Sequence, residues 1–200
     1  MRRFLAVTFV CSFFLLAGLA CAQQIDVGVG YNILWSPKSI TASAGYIPPP
    51  EKGGMYPSFY AQYILPNNFG LNIEGAFRYK QGFYNQYQPY RPILYDVNVM
   101  YAPRVGKKMF GDFMAGIGAQ TTLFYAEYGT CTVSGGGCAA RVNATHPLFH
   151  MGAGLRYYFF HNFYVRPEGH WYYIQNNTDE FHSHNVFRAG ASIGYTWGEH

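Results

Sequence analysis

The sequence predicts an all-β chain that folds as an eight-stranded, antiparallel, up-and-down transmembrane β-barrel. Charged residues make up only 12% of the chain, about half of their usual share in a globular domain. Aromatic residues make up 20%, yet no stretch beyond the N-terminal segment is long enough for a membrane helix. Apolar residues instead recur at every second position, as in strands that face lipid on one side.

The first 22 residues have the pattern of a cleaved signal peptide. A positive Arg2-Arg3 start precedes an apolar run that is shorter than the roughly 20 residues of a membrane helix. Ala20-Cys21-Ala22 then forms a small-x-small cleavage site. Lipid anchoring at Cys21 is the alternative, and Gly18 argues against it because lipoprotein signals usually carry a leucine there. We therefore expect a signal peptide at 1–22 and one barrel domain at 23–200.

Eight segments alternate between apolar and small or polar residues. In the first, Val27, Val29 and Ile33 lie on one face, whereas Asp26 and Gly28 lie on the other. Most segments approach the nine to eleven residues of a tilted membrane strand. The predicted strands, in order, are 25–35, 58–65, 71–79, 93–101, 112–123, 149–159, 163–173 and 188–197.

The connections alternate in length. Short turns are predicted at 66–68, 104–108 and 161–162, and long links at 36–55, 80–91, 126–145 and 175–185. Short periplasmic turns and long extracellular loops are typical of outer-membrane barrels. An even number of strands would place both mature termini in the periplasm.

A soluble eight-stranded barrel such as a lipocalin also alternates. The interior of an eight-stranded barrel is only just wide enough to be filled by side chains. The apolar face of this chain carries too many large residues to pack there, and it carries no charge. The apolar face is therefore predicted to contact lipid, and the face rich in glycine, alanine, serine and asparagine to line the lumen.

The predicted lumen face carries a set of charged residues that should pair, because a lone charge in a narrow lumen is costly. The main interpretation is a structural plug; the alternatives are a gate or narrow ion path, and catalytic carboxylates. Asp26 and His150 belong to the same face. The predicted charge network consists of Glu74, Arg78, Asp96, Asp112, Arg156, Arg166, Glu168, His170 and Arg188.

The export signal, the eight alternating strands and the final strand resemble the small OmpA-like and OmpX-like outer-membrane barrels. The resemblance implies outer-membrane lipid, lipopolysaccharide and the barrel assembly machinery as partners. It also implies a terminal-strand assembly signal at Arg188, Gly190, Ile193, Tyr195 and Trp197. Two departures are the residues beyond Trp197 and Pro167 in mid-strand, where we expect a local bulge.

Cys131 and Cys138 are expected to form a loop disulfide, since exported proteins fold in an oxidising compartment. A metal pair or a redox site is the alternative. Tyr84, Tyr87 and Tyr90 crowd the second long link. They are interpreted as part of the interfacial aromatic belt, with a binding surface as the alternative.

The fourth long link offers the residue types of a hydrolase, with Ser183 between His182 and His184 and with Asp179 and Glu180 nearby. Their spacing matches no lipid A hydrolase pattern, so coincidence in a polar loop is the main interpretation. A metal at the rim, held by the two histidines with His146, is a further alternative.

The sequence therefore indicates a non-enzymatic outer-membrane protein for envelope integrity, with no cofactor, metal or nucleic-acid partner. Its loops could contact a surface ligand. A narrow pore for ions or small solutes is the alternative, and a lipid-modifying enzyme is the third hypothesis.

Overall fold

The computed structural model describes residues 24–37, 48–84, 88–130 and 139–198. The predicted signal peptide lies outside this range. Among the described residues, no helix is long and apolar enough to cross a membrane. The strands are β1 (Gln24–Trp35), β2 (Lys52–Ile64), β3 (Phe69–Phe77), β4 (Gly82–Phe83), β5 (Pro89–Tyr101), β6 (Met109–Thr130), β7 (Ala139–Phe160), β8 (Phe163–Ile174) and β9 (Asn185–Gly198).

Eight of these strands form a closed antiparallel barrel, as the sequence predicts, and the two-residue β4 only extends one loop against β5. Strand β3 pairs with β5, and the ring closes where β1 pairs with β9. That seam runs in unbroken register from Gln24 opposite Gly198 to Trp35 opposite Phe187. Closure leaves no free sheet edge within the ring, which satisfies the backbone polar groups of a strand surrounded by lipid.

The two faces of the strands are arranged as the alternation predicts. Outward apolar side chains are exposed: Val29 is 55% accessible and Ile117 is 64% accessible. Inward polar side chains are buried, and Asp26 and Asp112 have no accessible surface. A water-facing protein would not present a continuous apolar exterior of this kind. The barrel is therefore a transmembrane barrel.

The two ends of the barrel differ as expected, although several strands begin or end at other residues than the sequence predicts. Asn68 and His161 adopt positive φ values of 65° and 37° in the tight turns between β2 and β3 and between β7 and β8. Much of the expected third loop is instead a hairpin, because β6 and β7 are 22 residues long and still pair at Thr130 and Ala139. Strand β2 likewise begins at Lys52 rather than at residue 58.

The bulge expected at Pro167 is absent, since the register between β8 and β9 is continuous through the pair of Pro167 with Ala191. The ladder to β7 keeps its register but has no pair at Leu155 or Arg156. The missing proline N–H is thus accommodated by a local gap in one ladder. The barrel contains the proline without an inserted residue.

The lumen is filled in layers, and the inward face of β8 gives their order. From the short-turn end it reads Tyr164, Arg166, Glu168, His170, Tyr172. Tyr164 belongs to an aromatic cluster with Tyr60, Phe110 and Tyr158. Tyr172 belongs to an apolar cluster nearer the loops, whose other members are Leu34, Tyr56, Leu94, Leu148, Ile174 and Val186. The charged residues therefore lie between two apolar layers.

Candidate functional site: the charged lumen

Eight of the nine predicted members of the charge network are buried in the lumen, together with Asp26 and His150. They separate into two groups along the barrel axis. The lower layer, nearer the short turns, comprises Asp26, Asp112, Arg156, Arg166 and Glu168. The upper layer comprises Glu74, Asp96, His150, His170 and Arg188.

Arg156 is the centre of the lower layer. Its Nε and Nη2 donate to Asp112 Oδ1 at 2.9 and 2.7 Å, and its Nη1 donates to Asp26 Oδ2 at 2.5 Å. Asp26 also accepts from Thr196 Oγ1 at 2.7 Å and from Gln24 Nε2 at 2.9 Å. Every nitrogen of the Arg156 guanidinium thus has a carboxylate partner, which is the condition for burying an ion pair.

Arg166 joins the lower layer to the middle of the lumen. Its Nε donates to Glu168 Oε2 at 2.7 Å, and its Nη1 lies 3.6 Å from Asp112 Oδ2. Its guanidinium carbon lies 3.9 Å from the ring centroid of Tyr60, within range of a cation–π contact. Arg166 therefore contacts one aromatic face and two carboxylates.

Arg188, in the upper layer, is less completely paired than Arg156. Arg188 donates through Nη2 to Glu74 Oε1, whereas its Nε and Nη1 have no hydrogen-bond partner among the described residues. His150 Nδ1 lies 2.6 Å from Asn98 Oδ1, and its Nε2 lies 2.9 Å from His170 Nδ1. Glu74 is thus the carboxylate partner of Arg188, a pairing across the lumen that cannot be inferred from one sequence.

Arg78 is a correction to the predicted network. It follows the end of β3 and lies at the loop end of the barrel, where Nη1 donates to Tyr90 Oη at 2.8 Å. The buried lumen residues therefore comprise five carboxylates but only three guanidinium groups.

A second polar site, missed by the sequence analysis, lies below the loops. Glu51 has no accessible surface although it precedes β2 in a link. Its Oε2 accepts from Gln120 Nε2 at 3.2 Å. Burial raises the pKa of the Glu51 carboxyl from 4.5 to about 7, and hydrogen bonds from Gln120 and Asn177 and the charge of Arg78 lower it only in part.

The loop aromatics form an outer cap over this site. Phe181 is buried against Tyr84, Tyr90 and Phe124, with ring centroids 5.4 to 6.5 Å away. Tyr84 donates through its hydroxyl to Glu180 O. Tyr84 and Tyr90 therefore pack inside the mouth rather than forming an exposed belt or binding surface, and Tyr87 lies outside the described residues. Phe83 is the exposed aromatic there, at 70%.

The hydrolase-like residues of the fourth link do not form a catalytic arrangement. Ser183 is buried, and its Oγ accepts from the Asn185 amide at 3.0 Å. His184 donates through Nδ1 to Ile174 O at 3.0 Å and stacks on Tyr173. His146 pairs with Glu180 at 2.7 Å, so His146 and His184 make separate contacts.

The residues of the predicted assembly signal lie on β9, some on its outward face and some on its inward face. Ile193, Tyr195 and Trp197 point outward, and Tyr195 packs on Trp197 with centroids 4.7 Å apart. Arg188 and Gly190 point inward. A Cβ atom on Gly190 would lie 2.2 Å from Tyr31 O, so close strand approach alone requires glycine there. Cys131 and Cys138, the predicted disulfide, lie outside the described residues.

The fold of this chain is similar to those of several solved structures. The chain is similar to Ail, the attachment invasion locus protein of Yersinia pestis, solved with the heparin analogue sucrose octasulfate: 15% identity, TM-score 0.57, covering 87% of this chain and 98% of that one. It is similar to Neisserial surface protein A, with 11% identity, TM-score 0.62 and coverage of 86% and 96%. OprG of Pseudomonas aeruginosa gives 10% identity, TM-score 0.52 and coverage of 88% and 97%.

No protein-family model and no curated protein sequence matches the chain. At these identities the solved structures establish the fold alone. The closed ring, its apolar exterior and its filled lumen agree with that likeness over nearly the whole described chain. The chain therefore has the fold of the small eight-stranded outer-membrane β-barrels.

Proposed function

We propose that this chain is a non-enzymatic structural barrel of the outer membrane whose lumen is sealed, and that its loops provide the contact surface. The observation that carries the proposal is the layering of the lumen. Buried ion pairs lie between two apolar clusters, and a third aromatic cluster closes the loop end. An eight-stranded barrel leaves no water-filled channel once such side chains fill it.

Outer-membrane lipid and lipopolysaccharide are the proposed surroundings, and the barrel assembly machinery is the proposed partner during insertion. The apolar outward face of the strands supports the lipid surroundings, and the outward residues of β9 support contact with the assembly machinery. Contact with a further surface ligand would use the exposed Tyr79 and Phe83 rather than the buried tyrosines.

The test is planar-bilayer conductance of the protein purified in detergent from outer membranes, with folding confirmed by heat-modifiable migration on a gel. A folded, silent barrel is the expected result. Reproducible single-channel steps from the wild-type protein would contradict the sealed lumen.

A narrow ion path is the second candidate, favoured by the incompletely paired Arg188 in the upper layer. If the lumen is an ion path, the Arg188→Ala variant should conduct ions while it remains folded. If Arg188 is instead part of a structural plug, the variant should lose thermal stability. Conductance and melting measured on the same preparation of the variant distinguish these two candidates.

A further inference from the structure

Three buried acceptor atoms converge in the middle of the lumen. Glu74, Glu168 and His170 each offer one ligand atom, and these three atoms lie within 4.8 Å of one another. His170 Nε2 is 3.7 Å from Glu168 Oε1, too far for a hydrogen bond. The three side chains come from β3 and β8, and all are buried.

Each of these three side chains has one atom without a hydrogen-bond partner among the described residues: Glu74 Oε2, Glu168 Oε1 and His170 Nε2. The other oxygen of each carboxylate is held, Glu168 Oε2 by Arg166 and Glu74 Oε1 by Arg188. Leaving a buried acceptor unsatisfied is unfavourable. Three clustered side chains that each leave such an atom therefore indicate a ligand that accepts electron pairs.

The hydrogen bonds behind His170 orient its ring for coordination. Asn98 Nδ2 donates to Asp96 Oδ1 at 2.5 Å, so Asn98 Oδ1 is free to accept from His150 Nδ1 at 2.6 Å. His150 Nε2 lies 2.9 Å from His170 Nδ1, so one of these two nitrogens donates to the other. When His170 Nδ1 is the donor and the ring is neutral, His170 Nε2 carries a lone pair 3.7 Å from Glu168 Oε1.

The charge of the lumen agrees with a cationic ligand. Five buried carboxylates face only three guanidinium groups, and His150 Nδ1 lies 3.3 Å from Asp96 Oδ1. Uncompensated buried charge is strongly unfavourable. A divalent cation would add positive charge where carboxylates outnumber guanidinium groups.

We propose that Glu74, Glu168 and His170 form a site for a first-row divalent cation of the Zn²⁺ type in the barrel lumen. Two carboxylate oxygens and one imidazole nitrogen are a ligand set that such ions accept. A water molecule would complete four-coordination. Hydrogen bonding of the second imidazole nitrogen to His150 supplies the outer-shell support that metal-bound histidines usually have.

Arg188 opposes this cation, because its guanidinium binds the other oxygen of Glu74. The site therefore depends on the excess of carboxylates in both layers, and loading is expected as the barrel folds, before the lumen closes. The role of the ion would be to hold β3 and β8 together across the lumen.

The test uses the protein purified in detergent from outer membranes, unfolded in urea with EDTA and refolded with or without Zn²⁺. After passage through a chelating resin, the folded wild-type protein should retain about one Zn²⁺ per chain. X-ray absorption should show one nitrogen at about 2.0–2.1 Å and oxygens at about 2.0–2.2 Å. His150→Gln, which alters only the support, should weaken binding about 10–100-fold.

His170→Gln should lose at least as much affinity, and His161→Asn is the matched control. His161 lies in a turn with positive φ, which asparagine tolerates. Retention of Zn²⁺ by folded His170→Gln, equal loss in the control, or folded wild-type protein without Zn²⁺ would each overturn the proposal. If His170→Gln does not fold, the metal content and absorption spectrum of the wild-type protein decide.

Discussion

The central arginines of the two layers, Arg156 and Arg188, are both buried but are paired to different extents. In the lower layer, all three nitrogens of Arg156 donate to carboxylates, and both oxygens of Asp26 accept. In the upper layer, Arg188 uses one nitrogen of three, and Glu74 leaves one oxygen unpaired. A buried ion pair is secure only when its remaining donors and acceptors are also paired. The contacts of Arg156 are therefore expected to stabilise the barrel, whereas the pair of Arg188 with Glu74 leaves capacity for a ligand.

The largest effect is expected from Arg156→Ala. The change leaves Asp26 buried without its cation and Asp112 with only Arg166, 3.6 Å away. Breaking a buried ion pair costs about 3–5 kcal/mol. Urea unfolding in detergent should show this loss, with Lys52→Ala, an exposed lysine of β2, as the control. A loss no larger than that of the control would mean that the lower layer does not fix the barrel.

Glu51 extends the comparison to a carboxylate that has no guanidinium hydrogen-bonded to it. Between pH 4.5 and about 7 the folded protein keeps a proton that the exposed carboxyl releases. The stability gained by burying the protonated Glu51 carboxyl beneath the loops should therefore fall as pH rises through that window, by about 1.4 kcal/mol per pH unit and about 3 kcal/mol in total.

Glu51→Gln should remove this pH dependence, because the amide does not ionise. Hydrogen-exchange protection of residues 175–184 at pH 5 and pH 8, corrected for intrinsic rates, measures the effect. If protection changes with pH in the wild-type protein no more than in Glu51→Gln, the Glu51 carboxyl is not buried beneath the loops.

Arg188→Ala should cost less than Arg156→Ala, about 1–3 kcal/mol, because it leaves one buried carboxylate without its single donor. Urea unfolding without added metal is the measurement, and Arg188→Lys is the conservative variant that retains the charge. Equal costs for Arg156→Ala and Arg188→Ala would remove the difference between the layers.

The smallest effect is expected from Ser183→Ala, which removes a neutral acceptor of the Asn185 amide in the outer cap. A neutral hydrogen bond of this kind contributes about 1 kcal/mol. Lipid A profiles by mass spectrometry should be identical in cells that carry this variant, the wild-type protein or an empty vector. A wild-type-specific change in lipid A that Ser183→Ala abolishes would revive the enzyme hypothesis.

Most of the fold could be predicted because the alternation of apolar residues reports directly which face of each strand contacts lipid. Val29 and Asp26 are assigned correctly by position alone. Strand limits beyond the bilayer could not be predicted, because no lipid constrains them, and the hairpin of β6 and β7 extends through an expected loop.

The candidate site was predicted in membership but not in pairing. Residues that share the inward face follow from period two, whereas the partner of Arg188 depends on how strands separated by more than a hundred residues face one another across the lumen. Arg78 was misplaced because β3 ends one residue before it. Glu51 gave no signal, since nothing in a Pro-rich link indicates a buried carboxylate.

The seam between β1 and β9 has a consequence for the order of events during assembly. Arg156 and Asp26 are separated by 130 positions, and Arg188 and Glu74 by 114. Such distant partners meet only after the entropy of closing a long loop has been overcome. The contacts of Arg156 with Asp26 and of Arg188 with Glu74 therefore cannot guide early folding. They join strands from opposite ends of the chain, so they form late, as the ring closes, and they then slow its reopening.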